Sequence, residues 1–353
     1  MTPQPLLGLS PAAAKESLSE FLSAWGEKPY RARQVLSWAY ELRAASFSDM
    51  SSIPGPLRTA LAEEYSLTPL NEAFSARSRD GTLKHLWALE DGEQVESVLI
   101  PVEGRVTLCI SSQVGCALAC RFCATGMFGF RRQLRAEEIV AQFRQADQAS
   151  RAVFGRPVSN LVFMGMGEPF ANTEAVLASL SVIHGGFGLG ARRITVSTVG
   201  LIPGIRQLTG RPEAFRLAVS LHAPNHELRS LLVPVEQRYP LPDLFEALRD
   251  YQRIKKRRIT FEYTLIDGVN DTVDLARQVA DISTGLQVFV NLIPLNPVPG
   301  IDWRPSPAQR VERFRETLED RGLPVAVRQP RGRDIAAACG QLRLERDVAA
   351  AAG

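Results

Sequence analysis

Cysteine is scarce in this chain, with five in 353 residues. A chain of this length buries enough apolar surface to fold without covalent staples, which excludes a small disulfide scaffold. Long apolar runs are missing as well: no segment approaches the roughly 18 consecutive apolar residues of a membrane-spanning helix. The opening "MTPQPLLGLSPAAAKESL" has no basic stretch followed by an apolar one, so it does not read as a secretory signal. The expectation is a cytoplasmic protein with reduced thiols and no membrane partner. Lysine is rare too, and nearly all of the positive charge is arginine. The formal charge of +3 permits a polyanionic partner without requiring one. Arginine suits phosphate through planar bidentate contacts, but its abundance beside alanine fits genome composition equally well, so local clusters must decide. There is no internal repeat, and low complexity is confined to the terminal "DVAAAAG".

What is present falls into an order. "SPAAAKESLSEFLSAWG", "KPYRARQVLSWAYELR" and "IPGPLRTALAEEY" carry helical spacing, the first behind a Ser-Pro start, and predict a small helical domain over 1–75 with a basic face at Lys28, Arg31 and Arg33. "LKHLWALE", "QVESVLIPV" and "RVTLCISSQVG" read as strands of a meander, its hairpin extension placed at 76–104. From 105 to 340, Val- and Ile-rich strands alternate with helical segments, which predicts an α/β fold with a parallel sheet. The strand candidates are "RVTLCIS", "NLVFMGMGEP", "RITVSTVG", "RLAVSLHA", "RITFEYTLI" and "VFVNLIPLNP". Six units are too few for a closed eight-stranded barrel and fit an open, partial (βα)6 barrel, with chemistry at the carboxyl ends of the strands. Each distinctive polar motif falls at such an end: the cysteine loop, Gly167-Glu168, Ser197, Ser220 with His222, and Asn296. A tail is read at 341–353.

Three of the five cysteines, Cys116, Cys120 and Cys123, lie in "SSQVGCALACRFCATG". A structural zinc site needs four ligands, and no fourth Cys or His is nearby in sequence. A redox Cys-x-x-Cys accounts for Cys120 and Cys123 and leaves Cys116 over. Three thiolates on one loop also match three irons of a 4Fe–4S cluster, with the fourth iron open to a small molecule. Cys109 and Cys339, taken singly, read as a small buried hydrophobe and an ordinary thiol.

Cys-x-x-x-Cys-x-Phe-Cys at the end of a first barrel strand resembles the signature of the radical S-adenosylmethionine (SAM) superfamily. The ordered set "KPYRARQV", "SFSDMSSIP", "VESVLIP", "CISSQVGCALACRFCATG", "MGMGEP", "VSTVG", "SLHAPN", "PLNPVPG" and "RGRDIAAACGQL" resembles its RNA-methylating RlmN/Cfr branch along nearly the whole chain. The resemblance implies a single 4Fe–4S cluster on Cys116, Cys120 and Cys123, its fourth iron bound by SAM. Gly167 and Glu168 would meet the SAM amino group; Ser197, Ser220 and His222 its carboxylate and ribose; Asn296 would contact it at the last strand. It implies two SAM molecules per turnover. Cys339 would be S-methylated, then joined covalently to the RNA base; Cys109 would resolve that adduct through a disulfide; Glu96 in "VESVLIP" would take the ring proton. Taken alone, a Ser or Asn of this kind reads as an ordinary strand-end group, and only their joint placement at successive strand ends favours a site; Glu96 reads equally as a solvated carboxylate on a hairpin.

The resemblance further implies methylation of adenine carbon 2 in 23S ribosomal RNA and beside the anticodon in some tRNAs, with an electron donor such as flavodoxin or ferredoxin. A Cfr-like methylation of carbon 8 is the near alternative. A radical-generating activase of a partner protein is the distant one, and Cys109 and Cys339 would have no part in it. For phosphates, the basic candidates are Lys255 to Arg258, Arg131 and Arg132, Arg192 and Arg193, and Arg328, Arg331 and Arg333.

Overall fold

The computed structural model describes residues 3–68 and 70–342; the tail read at 341–353 lies, beyond Leu342, outside the described residues. Ten strands form one sheet: β1 (Asn71–Arg77), β2 (Leu83–Ala88), β3 (Gln94–Val102), β4 (Arg105–Cys109), β5 (Asn160–Phe163), β6 (Ile194–Thr198), β7 (Arg216–Ser220), β8 (Ile259–Leu265), β9 (Val288–Pro294) and β10 (Val325–Val327). Every strand lies beside its neighbour in sequence. From β1 to β4 the pairing is antiparallel, and from β4 to β10 it is parallel. The meander and the barrel thus share one hydrogen-bonded surface. The six parallel strands expected from sequence are β4 to β9, and the α/β partial barrel is the observed architecture. The fully buried Leu108, Leu161, Val196, Leu217, Phe261 and Val290 run across the strands as a common core.

Two strands of this sheet escaped the sequence reading for a physical reason. "NEAFSAR" of β1 is an exposed edge with no buried alternation, and "VAV" of β10 is short and only partly buried. Edge strands carry weak hydrophobic signals because one flank faces water.

The helical domain comprises α1 (Pro11–Ala24), α2 (Tyr30–Tyr40) and α3 (Gly55–Glu64). Ser10 caps α1 by accepting from Ala13 N at 3.3 Å, with Pro11 in the first turn, as the Ser-Pro pair foretold. The domain is fastened to α4 (Ala136–Phe154), the first barrel helix. Arg43 Nε lies 3.1 Å from buried Asp147 Oδ2, and Arg144 Nη1 donates to Ala44 O at 2.9 Å.

The chain after β10 folds back over the carboxyl ends of the strands. The turn between β1 and β2 holds it there: Ser78 Oγ and Arg79 N donate to Asp334, and Asp80 accepts from Gly332 N at 3.0 Å. Ala124 N and Thr125 Oγ1 donate to Gly340 O and Leu342 O, each at 2.8 Å, so the same segment is also stitched to the cysteine loop.

Candidate active site

The cysteine loop leaves β4 and makes tight turns before a short helix, Ala124–Phe128. Gly115, at φ +76°, starts it; a Cβ there would stand 1.8 Å from Gly129 O. Cys116 N then donates to that same carbonyl at 2.9 Å. Cys116, Cys120 and Cys123 all line one pocket at the strand ends, together with Gly167, Glu168, Ser197, Ser220, His222, Asn296 and Cys339. Residues spread over 220 positions of sequence, from six strand ends and the folded-back segment, therefore meet in one cavity of about 910 Å³ including its mouth.

The pocket's polar groups are held firmly. Gly167, at φ +96°, passes so close to Gln113 that a Cβ would lie 2.5 Å from the Gln113 Cβ. Gln113 Oε1 in turn accepts from Glu168 N at 2.7 Å. The Glu168 carboxylate accepts from Phe170 N and Val199 N, both at 3.0 Å, and so ties the ends of β5 and β6 together. Burial raises its pKa to about 7 even though those backbone donors pull the other way. A carboxylate oxygen accepts more than one hydrogen bond, so capacity toward the pocket remains. His222, at φ +57°, accepts from Thr264 N on Nδ1 at 3.0 Å, and its carbonyl accepts from Asn270. Burial, helped by nearby Arg229, lowers its pKa to about 3, so the ring is neutral with Nε2 as donor. Phe122 stands edge-on to this ring, with centroids 4.6 Å apart.

The three loop thiols fit a cluster better than a single ion. Among the described residues no three Cys, His, Asp or Glu side chains are gathered as ligands of one metal ion. Burial pushes the Cys116 thiol up to about 12 and raises those of Cys120 and Cys123, and Cys120 also feels the charge of the other two. Three mutually interacting sulfurs lining one pocket, Cys120 buried and Cys116 and Cys123 partly so, with no fourth protein ligand among the described residues, are the donor set for three corners of a 4Fe–4S cluster. Their high pKa values mean that loading must displace protons.

Asn296 lines the pocket and is also tied to the segment behind it. Its Nδ2 donates to Cys339 O at 3.0 Å and its Oδ1 accepts from Arg333 Nε at 2.9 Å, so the amide pins the segment bearing Cys339. Cys339 lines the inner pocket and also a second, outer one, which it shares with Cys109, Ile100, Met164, Arg328 and Arg331. Burial, then the neighbouring Cys339, pushes the Cys109 thiol up to about 12. Glu96 on β3 is not a solvated hairpin carboxylate: it is 2% exposed and lies 3.1 Å from Lys84 Nζ. It sits on the sheet face shared with Val98, the cross-strand partner of Cys109. Glu96 itself lines neither pocket.

The basic clusters separate. Arg192 and Arg193 precede β6, and Lys255 to Arg258 precede β8, so both stand at the amino ends of strands, away from the site. Arg132 is engaged by Asp91 and Glu138, and Arg333 by Asn296. Arg328 and Arg331 line the outer pocket. Sequence reading missed Glu262, a lone carboxylate inside an apolar strand, which faces Arg328 at 3.8 Å while Arg328 Nη1 reaches Cys339 Sγ at 3.7 Å. It also missed Arg229, fully buried and bonded to Glu236, Val199 O and Leu221 O beneath the β6 and β7 ends.

A partial parallel barrel with a three-cysteine loop at the end of its first parallel strand defines a radical SAM enzyme. The superfamily's sequence model matches residues 110–279, and that of the ribosomal RNA large subunit methyltransferase N-terminal domain matches residues 6–67. The chain is 45% identical over 97% of its length to a probable dual-specificity RNA methyltransferase RlmN of Gemmatimonas aurantiaca, covering 93% of that protein. It is 44% identical over 94% of its length to the Bacillus subtilis protein of the same description, covering 91% of it. A radical SAM methyltransferase from Sphaerobacter thermophilus superposes with a TM-score of 0.92 at 47% identity, over 97% of this chain and all of the other. The chain belongs to the RlmN family of radical SAM RNA methyltransferases. Membership brings with it a 4Fe–4S cluster, SAM and an RNA substrate.

Proposed function

We propose that the protein methylates carbon 2 of adenosine in 23S ribosomal RNA and in tRNA beside the anticodon, through a covalent intermediate on Cys339. One observation carries this reading: Cys339 lines both pockets, the inner one with the three loop thiols and the outer one with Cys109. A group carried on its sulfur can be loaded from one side and handed over on the other.

Cys116, Cys120 and Cys123 would hold the cluster. Glu168 would pair with the SAM ammonium, and the Ser197 and Ser220 hydroxyls with His222 Nε2–H would meet its carboxylate and ribose. Asn296 would serve the same ligand indirectly, by fixing Cys339 beside it. Cluster and SAM together, when bound and reduced, supply a hydrogen-abstracting radical. Cys339 first takes a methyl group from one SAM, its sulfur–carbon bond forming as the sulfonium bond breaks. After a second SAM is spent in removing hydrogen from that methyl group, its carbon bonds to the adenine. Glu96 would then accept the ring proton as the adduct returns its unpaired electron to the iron–sulfur cluster, and the Cys109 thiolate would attack the Cys339 sulfur, forming a disulfide as the base departs and its former methylene carbon takes up a proton. Lys84 beside Glu96 keeps a cation next to the acceptor carboxylate. The domains would divide the work, with 1–75 gripping RNA, 76–104 carrying Glu96 and 105–340 performing the chemistry. Flavodoxin or ferredoxin would supply electrons.

Nucleoside mass spectrometry of ribosomal RNA and tRNA, from cells with and without the gene, tests this. 2-Methyladenosine in both RNA classes, lost with the gene, is expected. 8-Methyladenosine in its place would move the chemistry to the Cfr-like alternative.

A further inference from the structure

Arg328 makes contacts that a phosphate-binding surface residue has no need of. The parallel register sets Glu262 of β8 beside Asn291 of β9, and Asn291 beside Ala326 of β10. Arg328 stands two residues beyond Ala326, so its side chain returns to the face that carries Glu262 and Asn291. Its backbone is fixed there, with Arg328 N donating to Leu292 O at 2.8 Å. Asn291 Nδ2 donates to Glu262 Oε1 at 3.0 Å. The other carboxylate oxygen, Glu262 Oε2, is buried without a hydrogen bond and lies 3.8 Å from Arg328 Nη1. That same Nη1 is 3.7 Å from Cys339 Sγ and 3.9 Å from Met164 Sδ. The partly buried guanidinium is thus braced by a carboxylate on one side and set against a sulfur on the other. Arg328 lines both pockets, as Cys339 does, and is the only lysine or arginine lining the inner one among the described residues.

A cysteine sulfur attacks carbon as the thiolate, and a cation in contact with it stabilises that charge most where little water reaches. We infer that Arg328, braced by Glu262, is the positioning residue of the methyl transfer: it fixes the Cys339 sulfur and stabilises its negative charge as it attacks the SAM methyl group. The inference rests on Cys339 being the methyl acceptor. Cys339 is exposed, so its thiol proton leaves to solvent before the attack. The new sulfur–carbon bond then forms as the sulfonium–methyl bond breaks, and the electron pair of the broken bond stays on the departing sulfur. Arg328 therefore serves a sulfur rather than an RNA phosphate. Its charge also reaches Cys109, where it and the Met164 backbone oppose the upward push of burial and of Cys339.

The test compares wild type with Arg328→Gln, Arg328→Met and Arg328→Lys. Each protein is produced without its cluster and then reconstituted anaerobically, so that Cys339 enters unmodified. Peptide mass spectrometry follows two rates at Cys339 without RNA: methylation by SAM, and alkylation by iodoacetamide with no SAM present. The two neutral variants, either of which suffices should the other fail to fold, are expected to lose about tenfold or more in both rates. Arg328→Lys, which keeps a cation, should recover both to within about threefold of wild type. Iron content and RNA affinity should equal those of the wild type. Neutral variants with undiminished alkylation, or a lysine variant no faster than they are, would overturn the assignment. Weakened RNA binding with both sulfur rates intact would overturn it too and return Arg328 to a phosphate. A reconstituted wild type whose Cys339 takes no methyl from SAM would overturn the acceptor reading beneath it, and this shows before any variant is made.

Discussion

At the scale of single residues, the pocket assigns different work to groups of the same kind. Desolvation raises the pKa of all three loop thiols, and with no further ligand gathered beside them among the described residues each is indispensable to a cluster. Alanine at Cys116, Cys120 or Cys123 should abolish iron binding and SAM cleavage; a full iron complement in any of these variants would refute the ligand set. Glu168 is separable from them. Glu168→Ala should retain iron but bind SAM more weakly by roughly 1.5 to 3 kcal/mol, the range for a lost charge-assisted hydrogen bond. Unchanged affinity in equilibrium dialysis would reduce Glu168 to its observed service of joining the β5 and β6 ends. These residues were legible in the sequence because each falls at a strand end within a dense motif. Glu262 was not, since its partner Arg328 is distant in sequence, and Arg229 was not, since besides nearby Glu236 it bonds the Val199 and Leu221 carbonyls that only the fold brings to it. Asn296 was legible as a site residue, while its engagement with Cys339 and Arg333 depends on a chain reversal that no local pattern encodes.

Among the elements, the segment carrying Cys339 matters most, because it has little regular structure of its own. It is held by bonds at both ends, to the turn at Ser78–Thr82 and to the helix at Ala124–Phe128. Partial burial opposes ionisation of Asp80, but hydrogen bonds from Thr82, Gly332 and Ser78 outweigh it and lower its pKa to about 2. Because this folded value lies below the unfolded 3.8, the clamp is fully stabilising above pH 3.8 and is lost as pH falls through 3.8 toward 2. Asp80→Asn should reproduce the acid effect at neutral pH. Hydrogen exchange at the amides of 332–342 should accelerate about fivefold, as expected for the loss of about 1 kcal/mol. Exchange unchanged from wild type would show that the Asp334, Ala124 and Thr125 bonds hold the loop without Asp80. The six parallel strands β4 to β9 were readable from their Val- and Ile-rich runs; this clamp, joining positions some 250 residues apart, was not.

Across the whole molecule, the sequential order of the strands makes the meander and the barrel one sheet, and the helical domain is bolted to α4 of that sheet. The buried Arg43–Asp147 pair is the principal polar fastening, and Asp147 also accepts from Arg151 and from Val158 N. Asp147→Ala leaves the Arg43 guanidinium buried without its carboxylate, at a cost of about 3 to 5 kcal/mol. Calorimetry should show a melting temperature lower by about 4 to 7 °C, a scale set by the unfolding entropy of a chain of 353 residues. A shift of a degree or less would mean that the remaining contacts, among them the buried Leu6 and Leu7 and the Arg144 bond to Ala44 O, suffice for the docking. No helix among the described residues is long and apolar enough to cross a membrane. The placement of Cys339 between two pockets is the feature on which the account turns, and denaturing electrophoresis of cysteine variants incubated with RNA, SAM and reductant tests it directly. Cys109→Ala should accumulate a slower band that collapses after ribonuclease treatment, while Cys339→Ala and the double variant should show none. Both single variants free of attached RNA and still methylating it, with iron content normal, would contradict the covalent mechanism.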